Sequence, residues 1–270
     1  MSESVITEHR GSVANIVLSR PKYLNAMDPD AMRLLRSRLQ ELATDVRVTA
    51  VTITGQGRAF CAGGDIGSME ENLQKGRLPE LFHELAGEQE LVVREVVTMP
   101  KPVIASLPGV AAGGGLSLAL AADWRIASPN ATLVPAFPAL GAVPDGGLSY
   151  FLPHFLGIGL AQELLFTNAH LSADRARELG LLHEIVSEGE LSSRTQARAD
   201  ELAAGPTLAY GWLKRLLISA YSNSFEAQLA LERRGVLEAA RGRELPEGIR
   251  AFREKRRAQF DRSTPGQGSP

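Results

Sequence analysis

Apolar positions along this chain fall into short β-branched runs separated by longer stretches of helical period. Val5–His9 and Val13–Ser19 alternate around Gly11 and predict a hairpin. Asp28 followed by Pro29 offers a capping carboxylate, then a proline where no N–H is missed. The spacing of Met32, Leu35, Leu39 and Leu42 predicts a helix from there to about Asp45. Val48–Thr54 and Val103–Leu107 are short and apolar, as buried strands are. Between them Glu80–Met99 is helical by period, and Pro100 and Pro102 stop it. Gly113–Gly115 opens a helix of small residues over Leu116–Ala122, and Asp123–Ala127 and Thr132–Val134 read as strands. Strand and helix in alternation imply an α/β chain with a mainly parallel sheet and right-handed crossovers.

Beyond Pro144 the pattern turns helical almost throughout, interrupted by one strand-like piece, His183–Val186. Gly146–Leu156 reads as a helix, another follows Pro206, and two more cover Phe225–Ala240 and Ile249–Phe260. The predicted layout is a β/α body over residues 1–200, a helical C-terminal region over 201–262, and a disordered tail over 263–270.

Composition removes several classes of function. A net charge of −2 gives no general pull toward nucleic acid or an anionic membrane, so an anionic ligand needs a local basic cluster. The single cysteine, Cys61, excludes a disulfide framework and a cysteine-based zinc site, and no His/carboxylate spacing suggests a metal. The charged N-terminus lacks an apolar segment, so no signal peptide is expected. The longest apolar run, around Leu116–Ala122, is too short to span a bilayer, which makes a cytoplasmic protein the expectation.

The candidate chemistry lies in two runs of small residues, AFCAGGDI (59–66) and VAAGGGLSLALAAD (110–123). The second matches neither the G-x-G-x-x-G nor the Walker phosphate loop. Two readings stay open. The glycines let a helix pack closely on a sheet, or they bare helix N-terminal N–H groups toward a partial negative charge.

AFCAGGDI resembles the AF-x-AG-x-DI signature of the crotonase superfamily, the enoyl-CoA hydratases and isomerases. VAAGGGLSLALAADWRIA, RPKYLNAM, FPALGAVPDGG and LSADRARELGLLHEIV resemble four further segments of that family, in order, from about residue 5 to residue 261. The resemblance implies a crotonase-like spiral of ββα units with a helical C-terminal region. It also implies an acyl-CoA substrate, coenzyme A being part of the substrate rather than a separate cofactor. The family's thioester carbonyl sits between two backbone N–H groups, and the matching positions are Ala62 and Gly114. Such donors strengthen as charge grows on the oxygen of a thioester enolate.

Family hydratases use two glutamates. Their positions are occupied here by Ser117 and Phe137, neither of which moves a proton unaided near neutral pH. Asp145, in GAVPDGG, matches the position where isomerase branches carry an acidic residue, and where a dehalogenase branch carries a nucleophilic aspartate. A single carboxylate suits a 3-enoyl to 2-enoyl double-bond shift, since it takes a proton from one carbon and returns it to another. The alternatives within the family are hydratase-like or other enolate chemistry, and a silent acyl-CoA binder. Asp145 also reads as an N-cap for the helix that follows, and both roles are compatible.

The same resemblance puts Lys22, Cys61, Ala62, Gly63, Asp65, Ile66, Gly114, Phe137, Phe252 and Lys255 along the acyl-CoA. For several of these a plainer reading stands beside it. Asp65 is a turn former, Lys22 a surface lysine, and Lys255 with Arg256 and Arg257 a solvated basic helix face. Cys61 reads as a small buried residue rather than a nucleophile. His154 reads as packing or surface, and His83 as solvent-facing or turned to the acyl pocket. The family forms trimers and dimers of trimers, so a homotrimer or homohexamer is expected.

Overall fold

A computed structural model describes residues 3–260 of the chain. The disordered tail expected over 263–270 lies outside these residues. The body is built from repeated strand–strand–helix units. The first is β1 (Val5–Arg10), β2 (Val13–Leu18) and α1 (Pro29–Thr44). The second is β3 (Ala50–Gly55), β4 (Ala59–Cys61), α2 (Ile66–Gln74) and α3 (Leu78–Thr98). The third is β5 (Val103–Leu107), β6 (Val110–Ala112) and α4 (Gly114–Ala121). Then come β7 (Trp124–Ala127), β8 (Thr132–Val134), α5 (Leu148–Leu156) and α6 (Ile158–Thr167). The body closes with β9 (Leu171–Ser172), α7 (Ala173–Glu178), β10 (Glu184–Ile185) and α8 (Leu191–Ala203).

From β3 to β8 alternate strands go to different sheets. Among the described residues one sheet has the order β1-β2-β3-β5-β7-β10, and a smaller one the order β4-β6-β8-β9. β1 and β2 form the expected hairpin, Val5 opposite Leu18 and Arg10 opposite Val13. From β2 onward the large sheet is parallel, and β4, β6 and β8 are parallel in the small one. The spiral of ββα units is therefore present, and it uses two sheets where the sequence pattern implied one. The second set of strands is only two to three residues long at β6, β8 and β9, too short to leave an alternation.

Local physics explains the elements that frame the site. Asp28 caps α1, its Oδ1 accepting from Ala31 N at 2.8 Å, with Pro29 at the first helical position. Met32, Leu35, Leu39 and Leu42 of α1 are buried against α3 and the sheet. α4 is buried along nearly its whole length, so its small residues sit in the core between sheets and helices. α8 runs to Ala203, so the break before the C-terminal region falls at residues 204–206 rather than at 200.

That region consists of α9 (Thr207–Ser219), α10 (Phe225–Arg241) and α11 (Glu244–Arg253). The last helix differs from the Ile249–Phe260 expectation. It starts at Glu244 and ends where Lys255 takes a left-handed backbone, φ +53°. α9 is fastened to the body by a half-buried ion pair. Lys214 Nζ lies 2.7 Å from Asp123 Oδ2 and donates to the Val96 and Lys101 carbonyls at 2.9 and 3.2 Å.

Candidate active site

The two glycine-rich turns leave the small sheet side by side. After β4 the chain meets the loop before α1. Ala62 N donates to Leu24 O at 3.0 Å, Met27 N to Gly63 O at 2.8 Å, and Asp65 N to Met27 O at 3.1 Å. The amide of Ala62 is thus consumed inside the protein, and the expectation that it holds a carbonyl oxygen is corrected. Gly64, between two tied residues, has the amide that finds no partner among the described residues. Gly63 takes φ +92°, and a Cβ built on it would lie 2.9 Å from Ala112 O and 3.5 Å from Gly114 N. The turn after β4 therefore touches the start of α4 backbone to backbone, which explains why both stretches are so poor in side chains.

Gly114 is the first residue of α4, so its N–H has no intrahelical partner. Gly113, its N-cap, sits at φ +53° and ψ −124°, a conformation reserved for glycine, and is tied by its N to Val134 O at 3.0 Å. Gly115 packs so tightly that a Cβ there would stand 2.2 Å from Cys61 O. Close packing and bared amides, the two readings left open by the spacing, are thus divided among neighbouring glycines. The α4 dipole adds positive potential at the Gly114 end.

Asp145 lies in the turn before α5, ahead of Gly146 and Gly147 at φ +55° and +79°. Its main-chain carbonyl accepts from Leu148 N at 3.1 Å, but α5 starts only at Leu148 with Gly147 as its N-cap, so the carboxyl caps nothing. Oδ1 of Asp145 is buried without a hydrogen-bond partner. Loss of hydration raises the pKa of this carboxyl from 3.8 to about 6, with no charged neighbour contributing. An acid tuned near neutrality and unpaired is the form a proton shuttle takes.

The remaining expected residues divide sharply. Phe137 is half-buried, its ring Cζ 3.9 Å from a Cβ built on Gly113, and so stands at the mouth of α4. Ile66 at the start of α2 is 56% exposed and free to line a bound chain. Cys61 is buried, and burial pushes its thiol up to about 11, so it supplies packing and not a thiolate. Asp65 is buried too. Its carboxylate meets Arg20 Nη2 at 2.6 Å and caps α2 through Ser68 N at 3.2 Å. That side chain is spent on holding the loop.

Lys22 stands exposed on a tight helical turn, Pro21–Tyr23. Phe252, 87% exposed, and Lys255 lie on the surface of the C-terminal region. The basic cluster around Lys255 is weaker than its sequence implies, because Arg256 is paired with Glu247 at 2.6 Å and Glu254 at 2.5 Å. His83 is exposed, and His154 packs on Tyr150 and Tyr221. Among the described residues no group of three or more His, Cys, Asp or Glu could hold a metal ion, and no helix is long and apolar enough to cross a membrane. Sequence reasoning did not single out Gln89, a buried glutamine of α3 that donates to Gly114 O at 2.9 Å. Its signal was available, since it falls on the apolar stripe of that helix between Leu85 and Val92.

Two bared amides on touching turns, a helix N-terminus and an unpaired acid form a site able to stabilise an enolate. The Enoyl-CoA hydratase/isomerase profile matches residues 8–263, and the chain belongs to that family, the crotonase superfamily. It is 35% identical to the 1,2-epoxyphenylacetyl-CoA isomerase of Escherichia coli (strain K12), covering 96% of this chain and 99% of that protein. It is 33% identical to the short-chain-enoyl-CoA hydratase of Clostridium acetobutylicum, covering 95% and 97%. A 4-chlorobenzoyl coenzyme A dehalogenase of Arthrobacter sp is 31% identical over 93% of this chain and 91% of its own length. An enoyl-CoA hydratase structure from Polaromonas sp. JS666 superposes with a TM-score of 0.89 at 34% identity, over 94% of this chain and 98% of that one.

Proposed function

We propose that this member of the family shifts a double bond in an acyl-CoA thioester, of the 3-enoyl to 2-enoyl kind, with Asp145 as the acid/base. The observation that carries the reading is the buried, unpartnered Oδ1 of Asp145 beside a site without a second catalytic carboxylate at Ser117 or Phe137. The ionised carboxylate takes a proton from the carbon next to the thioester. The electron pair of that C–H bond moves into the thioester, and negative charge collects on its oxygen. The amides of Gly64 and Gly114 donate to that oxygen, each such donor being worth about 3–4 kcal/mol of transition-state stabilisation in comparable sites. The protonated Asp145 then returns its proton two carbons further along, the carbonyl re-forms, and the double bond ends in conjugation. No water is consumed, and coenzyme A enters only as part of the substrate.

Hydration draws no comparable support. It needs a second group to hand a proton to or from water, and the Ser117 hydroxyl is already bonded to the Asp145 carbonyl at 2.9 Å. The relatives carry isomerase, hydratase and dehalogenase names, so the test is a panel of 2-enoyl, 3-enoyl and phenylacetyl-derived CoA thioesters followed for isomerisation and for hydration. Isomerisation that disappears in Asp145→Asn while acyl-CoA binding remains supports the reading. Hydration as the dominant reaction, or binding without turnover on every thioester, sinks it.

We also propose that the working unit is a homotrimer or a pair of trimers in the cytoplasm. Its support is the apolar surface that α9 and α10 leave uncovered, with Leu217 69%, Val236 64% and Leu237 52% exposed. Light scattering that finds a monomer refutes this.

A further inference from the structure

A base must be held at one place relative to the amides it works with, yet Asp145 precedes two glycines in left-handed conformation, where the backbone is intrinsically free. Two side chains from different helices take up that freedom. Ser117, on α4, is fully buried, and its Oγ lies 2.9 Å from Asp145 O and 3.3 Å from Gly113 O. A hydroxyl carries one proton, and the shorter contact takes it, so Ser117 donates to the Asp145 carbonyl. A carboxylate at position 117 has no proton to give and would confront that oxygen with its own charge.

Gln89, on α3, is 4% exposed. Its Nε2 donates to Gly114 O, fixing the first peptide of α4. A Cβ built on Gly146 would stand 2.8 Å from both Cγ and Nε2 of Gln89 and 2.9 Å from Ser117 Cβ. Gln89 therefore touches, with one side chain, the residue that bares an amide and the residue after the acid. Burying a serine and a glutamine costs free energy that alanine and leucine would not, unless the bonds they make matter.

We propose that Gln89 and Ser117 are positioning residues that clamp the Asp145 turn against the N-terminus of α4, setting the acid at a fixed distance from the Gly114 amide. The clamp rests on the reading of Asp145 as acid/base. The low hydration of that carboxyl fits the same picture, since a turn held down against α4 is kept out of water.

The test compares Ser117→Ala, Gln89→Met and Asp145→Asn in the full chain. The reaction followed is exchange of the α-hydrogens of hexanoyl-CoA in deuterated buffer, read by mass spectrometry. The clamp predicts that Ser117→Ala and Gln89→Met bind hexanoyl-CoA within about twofold of the unaltered protein yet exchange about 10- to 100-fold more slowly at saturation. It also predicts that the acid limb of their pH profile moves to lower pH, because a loosened carboxyl meets water. A merely structural role would not move that limb. If both variants keep the unaltered rate and pH profile while Asp145→Asn is dead, the clamp is wrong and the acid/base reading stands. If Asp145→Asn exchanges normally, or the unaltered protein exchanges nothing, both fall. Should Ser117→Ala fold poorly by circular dichroism, Ser117→Cys keeps the volume with a weaker donor and must show the same loss. Equal loss of binding and rate in every variant also overturns the clamp.

Discussion

Asp145 burdens the fold in the form that does chemistry, and the burden has a calculable pH dependence. Its carboxyl titrates at 3.8 when hydrated and at about 6 in the folded chain, because burial disfavours the charge. Below about pH 3 the group is neutral folded and unfolded, and contributes nothing to the difference. As pH rises from about 3 to 6 the unfolded chain ionises first, so stability is lost. Above about pH 7 the loss is complete. A tenfold change in an ionisation constant is worth about 1.4 kcal/mol, so the full penalty is about 3 kcal/mol, and partial access to water trims it to about 1–3 kcal/mol. Asp145→Asn keeps the shape and removes the charge. The variant is expected to match the unaltered protein in urea unfolding at about pH 3 and to be more stable by about 1–3 kcal/mol at pH 8, at one fixed protein concentration. A difference that does not change with pH, or one that grows toward acid, would refute the reasoning.

Three further outcomes follow from the same geometry. The rate of an Asp145-dependent reaction should fall as pH drops through about 6, because the base must be ionised; a profile flat down to pH 4.5 excludes this acid as the base. Gly114→Pro removes one bared N–H at the first helical position and Gly114→Ala keeps it while placing the same Cβ 3.1 Å from Gln89 Oε1, so turnover should drop by about 100- to 1,000-fold more in the proline variant than in the alanine one, as stopped-assay kinetics would show. Lys214→Met leaves the half-buried Asp123 with only its bond from Val103 N and should cost about 1.5–3 kcal/mol, loosening α9 first; hydrogen exchange that finds α9 as protected as before would contradict this.

The division between what could and could not be read from the chain is physical. Asp28 and Pro29 announce the start of α1 because a cap is a contact three residues long, and the apolar spacing of α1 and α3 records which face is buried. The identity of the bared amide is different. Ala62, Gly63 and Gly64 are chemically equivalent donors in sequence. Only the arrival of Leu24 and Met27 from the loop before α1 consumes the amide of Ala62 and leaves that of Gly64. α2 went unread because no buried residue marks a face on it. Asp145 likewise passes for a helix cap until α5 is seen to begin at Leu148.

By itself the order of residues determined the alternation of strands and helices, the buried faces, the absence of a second carboxylate and the presence of one acid in a glycine-rich turn. Each of these is a matter of residue type or of neighbours within a turn or two. Tertiary structure alone decided which amide is free, that Asp65 is spent on Arg20, and that Gln89 and Ser117 meet at Gly146. Those outcomes depend on contacts between segments tens of residues apart, where small shifts in packing exchange one hydrogen-bond partner for another and leave no local trace.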